Sequence, residues 1–283
     1  MSEQKSEFSW YDPLQQLANH LDFTITHAIH IHYNKPLFAR NSYHQSRLIF
    51  IENVEGTDGG AIRLCENGVP ARDFILRPQT LLFFPPNLDL IFDYKPGLTC
   101  LGIHFNLSLV PGVDIFEKQI SPKVIPFTDT STLKKLREAT WHKDSLKDLL
   151  WCKGALLSIA ASFIEGDIEQ HLEAMRFGQK YASLLSSIEA NPRMDFEIGA
   201  AAHLLNLAPG TLSRNFKKDS GISLHEWVIK RVLRKALRVL SESDQSIKFI
   251  ATELGFSSAV YFSRFIKKHT GKAPGDFRKT DED

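Results

Sequence analysis

Three cysteines in 283 residues, Cys65, Cys100 and Cys152, are too few and too scattered for a disulfide framework. No CxxC pair is present, which argues against the common structural zinc sites. Buried free thiols are the expectation for all three. Long apolar runs are also missing. The best, Ala155–Ile164, is about half of the roughly 18–20 residues that a membrane helix requires. The opening residues, MSEQKSEFSW, lack the apolar core of a secretory signal. A cytoplasmic protein with no membrane partner is therefore expected. Net charge is nearly absent too, at +1. What remains is 43% apolar and 24% charged, the composition of a globular chain with true cores. At about 100–200 residues per domain, the length suits two domains.

The small net charge conceals a division. Residues 1–175 carry 16 basic and 21 acidic side chains, and residues 176–283 carry 18 and 12. The last three residues are all acidic, so the stretch 176–280 stands at +9. A mildly acidic half joined to a basic half suggests that only the second meets a polyanion.

The first half reads as strands. FTITHAIHIHY at 23–33 alternates with period two. Short apolar segments follow at 47–54, 73–76, 81–84, 88–94 and 99–107, separated by Gly, Pro and Asn turns. An antiparallel barrel or jelly roll is expected. Helical periodicity takes over at 130–140 and 145–164. In the second stretch Leu146, Leu149, Leu150, Lys153, Leu156, Leu157, Ala160 and Ile164 define one largely apolar face. Such a face packs on the barrel or pairs with a second copy. Residues 165–175 read as a linker or helix end.

The second half contains one unit written twice. LSRNFKKDSG at 212–221 returns as FSRFIKKHTG at 262–271, with Ser, Arg, both Lys and Gly repeating. Upstream, 202–205 matches 251–254. Helix, short turn, helix, closing Gly is the grammar of a helix-turn-helix. Ser246 suits an N-cap, and Gly221 and Gly271 suit C′ positions. Between the units, Ser223 and Glu226 suggest a capping box that opens a helix through Leu240. A helical bundle without ligand would repeat its apolar positions most faithfully, yet here the polar ones repeat better.

These residues resemble the DNA-binding domain of AraC/XylS-family transcription regulators. The likeness is fullest in Ile250-Ala251, Leu254-Gly255-Phe256-Ser257-Ser258, Tyr261–Phe265, Lys267-Lys268, Gly271, Pro274 and Phe277-Arg278. It implies an all-α domain at 176–283 with two helix-turn-helix units joined by a linker helix. Leu212, Phe216, Phe262 and Ile266 should face the core. Gly210, Thr211, Ser213, Arg214 and Lys217 of the first recognition helix are then left for DNA. So are Ser258, Ala259, Val260, Ser263, Arg264, Lys267 and Lys268 of the second. Arg214 and Arg264 suit guanine O6 and N7, with a structural ion pair as the alternative. Ala259 and Val260 suit thymine methyls, and Lys217, Lys218, Lys267 and Lys268 suit phosphates. Gly210 departs from the family pattern by offering no side chain to a base. Asn206 stands where the family usually has Gly, and tolerates the same left-handed backbone.

The resemblance further implies that residues 1–172 form a cupin-like β-barrel with flanking helices, which binds an effector and helps dimerise the chain. RPQTLLFFPP at 77–86 is similar to the family's strand and Pro-Pro turn. Trp10, Arg40 and His104 are the candidate ligand residues, with Cys100 and Gly102 sharing the His104 face. A sugar is the leading effector class by analogy of fold. The implied whole is a homodimeric activator of a catabolic operon that meets double-stranded DNA and RNA polymerase. It would be no enzyme and need no cofactor. The alternative is a metal-binding or enzymatic cupin fused to a DNA-binding tail. His30-Ile31-His32 has the HxH spacing for it, but the companion Glu and later His are missing.

Overall fold

Among the described residues, period-two alternation and turn residues build ten strands in the first half, and 3.6-residue periodicity builds helices after them. The computed structural model describes residue 19 and residues 21–277, except 43–44, 67, 111–112, 118, 120, 142–144, 167 and 271–272. Trp10, Gly271 and Arg278 thus lie outside the described residues. The chain divides into two compact units. The first comprises residues 1–109 and 113–172, the second 110–112 and 173–283.

In the first unit the strands are β1 (Asp22–His32), β2 (Leu37–Ser42), β3 (Ser46–Val54), β4 (Gly60–Glu66), β5 (Val69–Ile75), β6 (Thr80–Phe84), β7 (Asp89–Tyr94), β8 (Leu98–Val110), β9 (Val113–Asp114) and β10 (Lys123–Pro126). One antiparallel sheet runs β1-β8-β3-β6-β10, with β9 beside β8, and the other runs β2-β7-β4-β5. The two sheets face each other across an apolar interior. Ile49, Ile51, Leu82, Phe84 and Cys100 of the larger sheet meet Ile62, Leu64, Phe74, Leu90 and Phe92 of the smaller. β2, β4, β9 and β10 were not expected. β4 begins at Gly60, the last residue read as a Gly-rich turn.

Helices α1 (Thr130–Trp141) and α2 (Leu146–Ala161) cover the other face of the larger sheet. There Leu48, Phe50, Leu81, Phe83, Leu101, Ile103 and Phe105 pack with Leu136, Cys152, Leu156 and Ala160. The apolar stripe of α2 therefore divides. Its C-terminal half is core. Leu146, Leu149 and Leu150 in its first turns stay 72%, 42% and 60% exposed.

The second unit contains α3 (Ile168–Lys180), α4 (Ala182–Ala190), α5 (Ile198–Leu204), α6 (Pro209–Ser220), α7 (Leu224–Glu242), α8 (Ile247–Glu253) and α9 (Ala259–Thr270). A short 3-10 turn follows at Pro274–Phe277. The stretch 165–175, expected as a linker or helix end, is largely α3, because Leu172 and Met175 bury one helix face that Gly166 and the surrounding charges obscured. Of the described residues, no helix is long and apolar enough to cross a membrane.

Candidate nucleic-acid interface

Each helix-turn-helix is fixed by the same backbone bonds. In the first, Asn206 N–H donates to His203 O at 3.1 Å and Leu207 N–H to Ala202 O at 2.9 Å. In the second, Gly255 N–H donates to Thr252 O at 3.1 Å and Phe256 N–H to Ala251 O at 2.9 Å. Both turns pivot on a left-handed residue, Asn206 at φ 52° and Gly255 at φ 75°. Asn can take that conformation at small cost, so it replaces Gly in the first unit without altering the turn.

The recognition helices are held from behind. Phe177 of α3, Tyr181, Phe216 of α6 and Trp227 of α7 form an aromatic cluster with ring centres 5.1–5.6 Å apart. Tyr181 Oη donates to Asp219 at 2.8 Å and Lys180 Nζ lies 2.7 Å from the same carboxylate, which pins the C-terminal turn of α6. Those two donors hold the Asp219 carboxyl below its ordinary range. In the second unit Phe256 meets Phe262 and Phe265 of α9 at 5.2 and 5.0 Å. The linker helix α7 opens with the expected capping box between Ser223 and Glu226. Its buried Arg231 stacks over Trp227 at 4.2 Å and reaches Glu189 of α4 at 2.6 Å.

With Leu212, Phe216, Phe262 and Ile266 buried, the opposite faces are free. Gly210, Arg214, Lys217 and Lys218 of α6 are exposed, as are Val260, Arg264, Lys267 and Lys268 of α9. Thr211 and Ala259 are half-buried. Three serines have local duties. Ser258 caps α9 by accepting from Tyr261 N–H at 3.1 Å, while Ser213 and Ser263 donate to Pro209 O and Ala259 O at 3.0 and 2.8 Å. Tyr261, 48% exposed at the repeat position of Thr211, belongs to the same surface and was overlooked. The offset of 50 residues from Thr211 was the available signal. Among the described residues neither Arg214 nor Arg264 has an ion-pair partner. A Cβ on Gly210 would meet nothing within 4 Å, so packing does not impose that glycine.

The first unit places its candidates differently. Arg40 lies on the outer face of β2, opposite Leu37, Ala39 and Asn41, which register with interior residues of β7. Its guanidinium grips Asp89 at 2.5 and 3.0 Å, a pairing that raises its pKa. The expectation that Arg40 lines the interior is thereby corrected: strand alternation turns it outward. His104 does face the interior, on β8 with Cys100 and Gly102. Burial, the Arg47 charge and His27 push its imidazole down to about 3. Burial first, then Glu52, pushes the Cys100 thiol up to about 12, so it stays protonated. His30 and His32 share a strand face as expected, but it is the face turned away from the interior. There His30 Nε2 lies 3.0 Å from Glu52, which also takes Arg137 of α1 at 3.2 Å. His32 Nδ1 lies 2.9 Å from Thr99 Oγ1.

Sequence reasoning missed two interior residues. Arg47 of β3 is 0% exposed and stacks on Phe84 and Phe92, with ring centres 5.8 and 5.6 Å away. Asn106 follows His104 on the same face of β8. The available signal for Arg47 was an arginine inside an otherwise apolar strand.

Two facing antiparallel sheets followed by paired helix-turn-helix units define a two-part regulator. Residues 201–280 match the family model described as a helix-turn-helix domain. An uncharacterized HTH-type transcriptional regulator, YfiF of Bacillus subtilis, is 33% identical over 242 residues, covering 75% of this chain and 72% of that protein. The arabinose operon regulatory protein of Escherichia coli is 34% identical over 84 residues, covering 30% of this chain and 29% of its own length. The Msm operon regulatory protein of Streptococcus mutans is 28% identical over 137 residues, 48% of this chain and 49% of its own. The chain thus spans half or less of those last two relatives. Over the whole fold, apo ToxT of Vibrio cholerae superposes with a TM-score of 0.53 at 11% identity, covering 90% of this chain and 96% of that one. The chain belongs to the AraC/XylS family of transcription regulators.

Proposed function

We propose that the second unit reads specific double-stranded DNA through α6 and α9, and that the first unit senses a small molecule and pairs two chains. The observation that carries the DNA reading is the repeated turn, which presents Arg214 and Arg264 at equivalent exposed positions, without ion-pair partners among the described residues. Arginine's fork can bind a guanine edge in bidentate fashion, while the flanking lysines suit phosphates. The linker helix α7, with 19 residues, is about 28 Å long at 1.5 Å per residue. Arms so spaced reach successive major grooves, roughly 34 Å apart, on a somewhat bent duplex.

Effector control and pairing follow from the first unit. Its enclosed interior, with His104 on one wall, suits a small polar ligand, and a sugar is the leading class by likeness to operon regulators of sugar use. Leu146, Leu149, Leu150 and Trp151, all exposed, supply the surface on which a second copy docks. Two arms on one dimer raise the effective concentration at paired half-sites. Activation of a catabolic operon through RNA polymerase completes this reading. The test is a pair of substitutions. Arg264→Ala should cost about 1–3 kcal/mol on the specific site and relax base preference at one position. Lys268→Ala should weaken specific and random DNA alike. Equal loss by both variants on every sequence would remove α9 from the groove.

A further inference from the structure

We propose that Arg193 and Asp195 are positioning residues for DNA reading. They lock the loop that leads into the first helix-turn-helix onto the turn of the second, and so fix the phase between the base pairs that α6 and α9 read. This rests on the reading of α6 and α9 as groove helices, and it adds subsite spacing to the specificity of the chain.

The carbonyls at the end of α8 reveal the bridge. A helix leaves its last carbonyls without intrahelical donors. Here Ile250 O accepts from Leu254 N–H, Ala251 O from Phe256 N–H and Thr252 O from Gly255 N–H. Glu253 O and Leu254 O remain, and both are met from the loop between α4 and α5. Arg193 Nη1 donates to Glu253 O at 3.2 Å, across 60 residues of chain. Met194 N–H donates to Leu254 O at 2.8 Å. Arg193 also forks onto Asp195, Nε to Oδ1 at 2.8 Å and Nη2 to Oδ2 at 2.9 Å. Asp195 lies so close to the pivot of the turn that a Cβ on Gly255 would strike it.

The first turn shows that a helix-turn-helix does not need this bridge. Its equivalent carbonyls are Leu204 O and Leu205 O. Among the described residues neither accepts a hydrogen bond, yet the turn takes the same shape. What the bridge adds is a second tie. Helix α7 and residues 243–246 connect α6 to α8. The loop that carries Arg193 and Asp195 runs into α5 at Ile198, so the bridge joins the start of the first helix-turn-helix to the end of α8. A ring closed at two points turns only by breaking one of them. Stability is a poor explanation for the ion pair, because Arg193 and Asp195 are 38% and 55% exposed and exposed pairs contribute little. Geometry is a better one. Two parallel bonds set the plane of the guanidinium and aim Nη1 at Glu253 O.

The test uses the full chain on duplexes that it selects from a random library. The base pairs at which Arg214→Ala and Arg264→Ala lose preference mark the two subsites. One base pair inserted between them shifts the second subsite by about 3.4 Å and turns it by about 35°. The unmodified chain should then lose at least about tenfold in affinity. Arg193→Met and Asp195→Asn should each cut that penalty to about threefold, with urea midpoints near that of the parent. One variant removes a positive charge and the other a negative charge, so their effects on random DNA should have opposite signs. A loss of spacing discrimination shared by both is therefore not a loss of attraction for phosphate. Arg193→Lys keeps the charge without the fork, and should match Arg193→Met on spacing and the parent on random DNA. If all three variants keep the parent's penalty, the bridge is structural alone and the DNA reading stands. A parent chain that tolerates the inserted base pair overturns the proposal as well. If neither Arg214→Ala nor Arg264→Ala changes base preference at any position, the groove reading falls and the proposal falls with it.

Discussion

Single residues in this chain are explained by what surrounds them. Gly255 pivots the second turn at φ 75°, and a Cβ there would fall 2.2 Å from Asp195 Oδ1. That carboxylate is fixed by Arg193, whose Nη1 also donates to Glu253 O at 3.2 Å. Gly255→Ala should therefore destabilise the second unit by at least about 1–3 kcal/mol, from backbone strain and the displaced ion pair together. A urea midpoint equal to that of the parent would refute the account. His104 ties stability to pH. Its imidazole is neutral when folded, down to about pH 3, whereas an unfolded chain takes up the proton near pH 6.5. The unfolded state binds more protons between those values, so stability is full above about 6.5 and is lost as pH falls toward 3. The slope contributed is at most about 1.4 kcal/mol per pH unit. His104→Gln should flatten the decline in urea midpoint between pH 6 and 4, and an unchanged profile would show that His104 is not buried as a neutral ring. The exposed arginines of α6 and α9 were legible because polar repetition at an offset of 50 has no packing cause. The Arg40 assignment failed because face is set by register with β7, which no local pattern encodes. Arg47 and Asn106 were hidden for the same reason: their face is set by the pairing of β3 with β8, strands far apart in sequence.

At the scale of elements, local chemistry decides starts and stops, while partners decide which face is buried. The caps were readable in the sequence. Ser223 and Glu226 close their box on α7, Ser246 accepts from Phe249 N–H at 3.1 Å on α8, and Gly221 ends α6 at φ 80°. Strands β2 and β4 were not readable, because LFARNS and GAIRLCE mix inward apolar and outward charged residues over only six or seven positions. Helix α2 shows the limit of periodicity. Its stripe is continuous in sequence, yet the sheet beneath it buries Cys152, Leu156 and Ala160 and leaves the first turns uncovered. The first turns are left with Leu146, Leu149 and Leu150 in water, a patch whose burial is favourable at about 25 cal/mol per Å². If two copies pair through this patch as proposed, Leu150→Glu should leave a monomer in sedimentation at tens of micromolar, with little effect on folding, because the side chain is already 60% exposed. A dimer that survives both Leu150→Glu and Leu146→Glu would place pairing elsewhere.

On the scale of the whole molecule, each unit owns its core and its charge, so their tasks are separable. The first unit is closed by two facing sheets and two helices, and its sequence share of 16 basic against 20 acidic residues gives it no attraction for a polyanion. The second unit exposes Arg214, Lys217 and Lys218 on α6 and Arg264, Lys267 and Lys268 on α9. Lys/Arg contacts to phosphates release condensed counterions, so binding must weaken as salt rises. Residues 173–283 alone should bind duplex DNA, and raising salt from about 50 to 200 mM should cost at least roughly tenfold in affinity. Residues 1–172 should not bind. The full chain should exceed the isolated second unit only on DNA with paired half-sites, because pairing adds effective concentration and no new base contact. Moving the half-sites out of phase by half a helical turn should therefore remove the advantage of the full chain and leave the isolated unit unaffected. Should the isolated unit show the same spacing dependence, the pairing surface lies in the second unit, and the apolar turns of α2 have some other use. Salt-independent binding would be still more damaging, since it would mean that α6 and α9 do not meet the phosphate backbone at all.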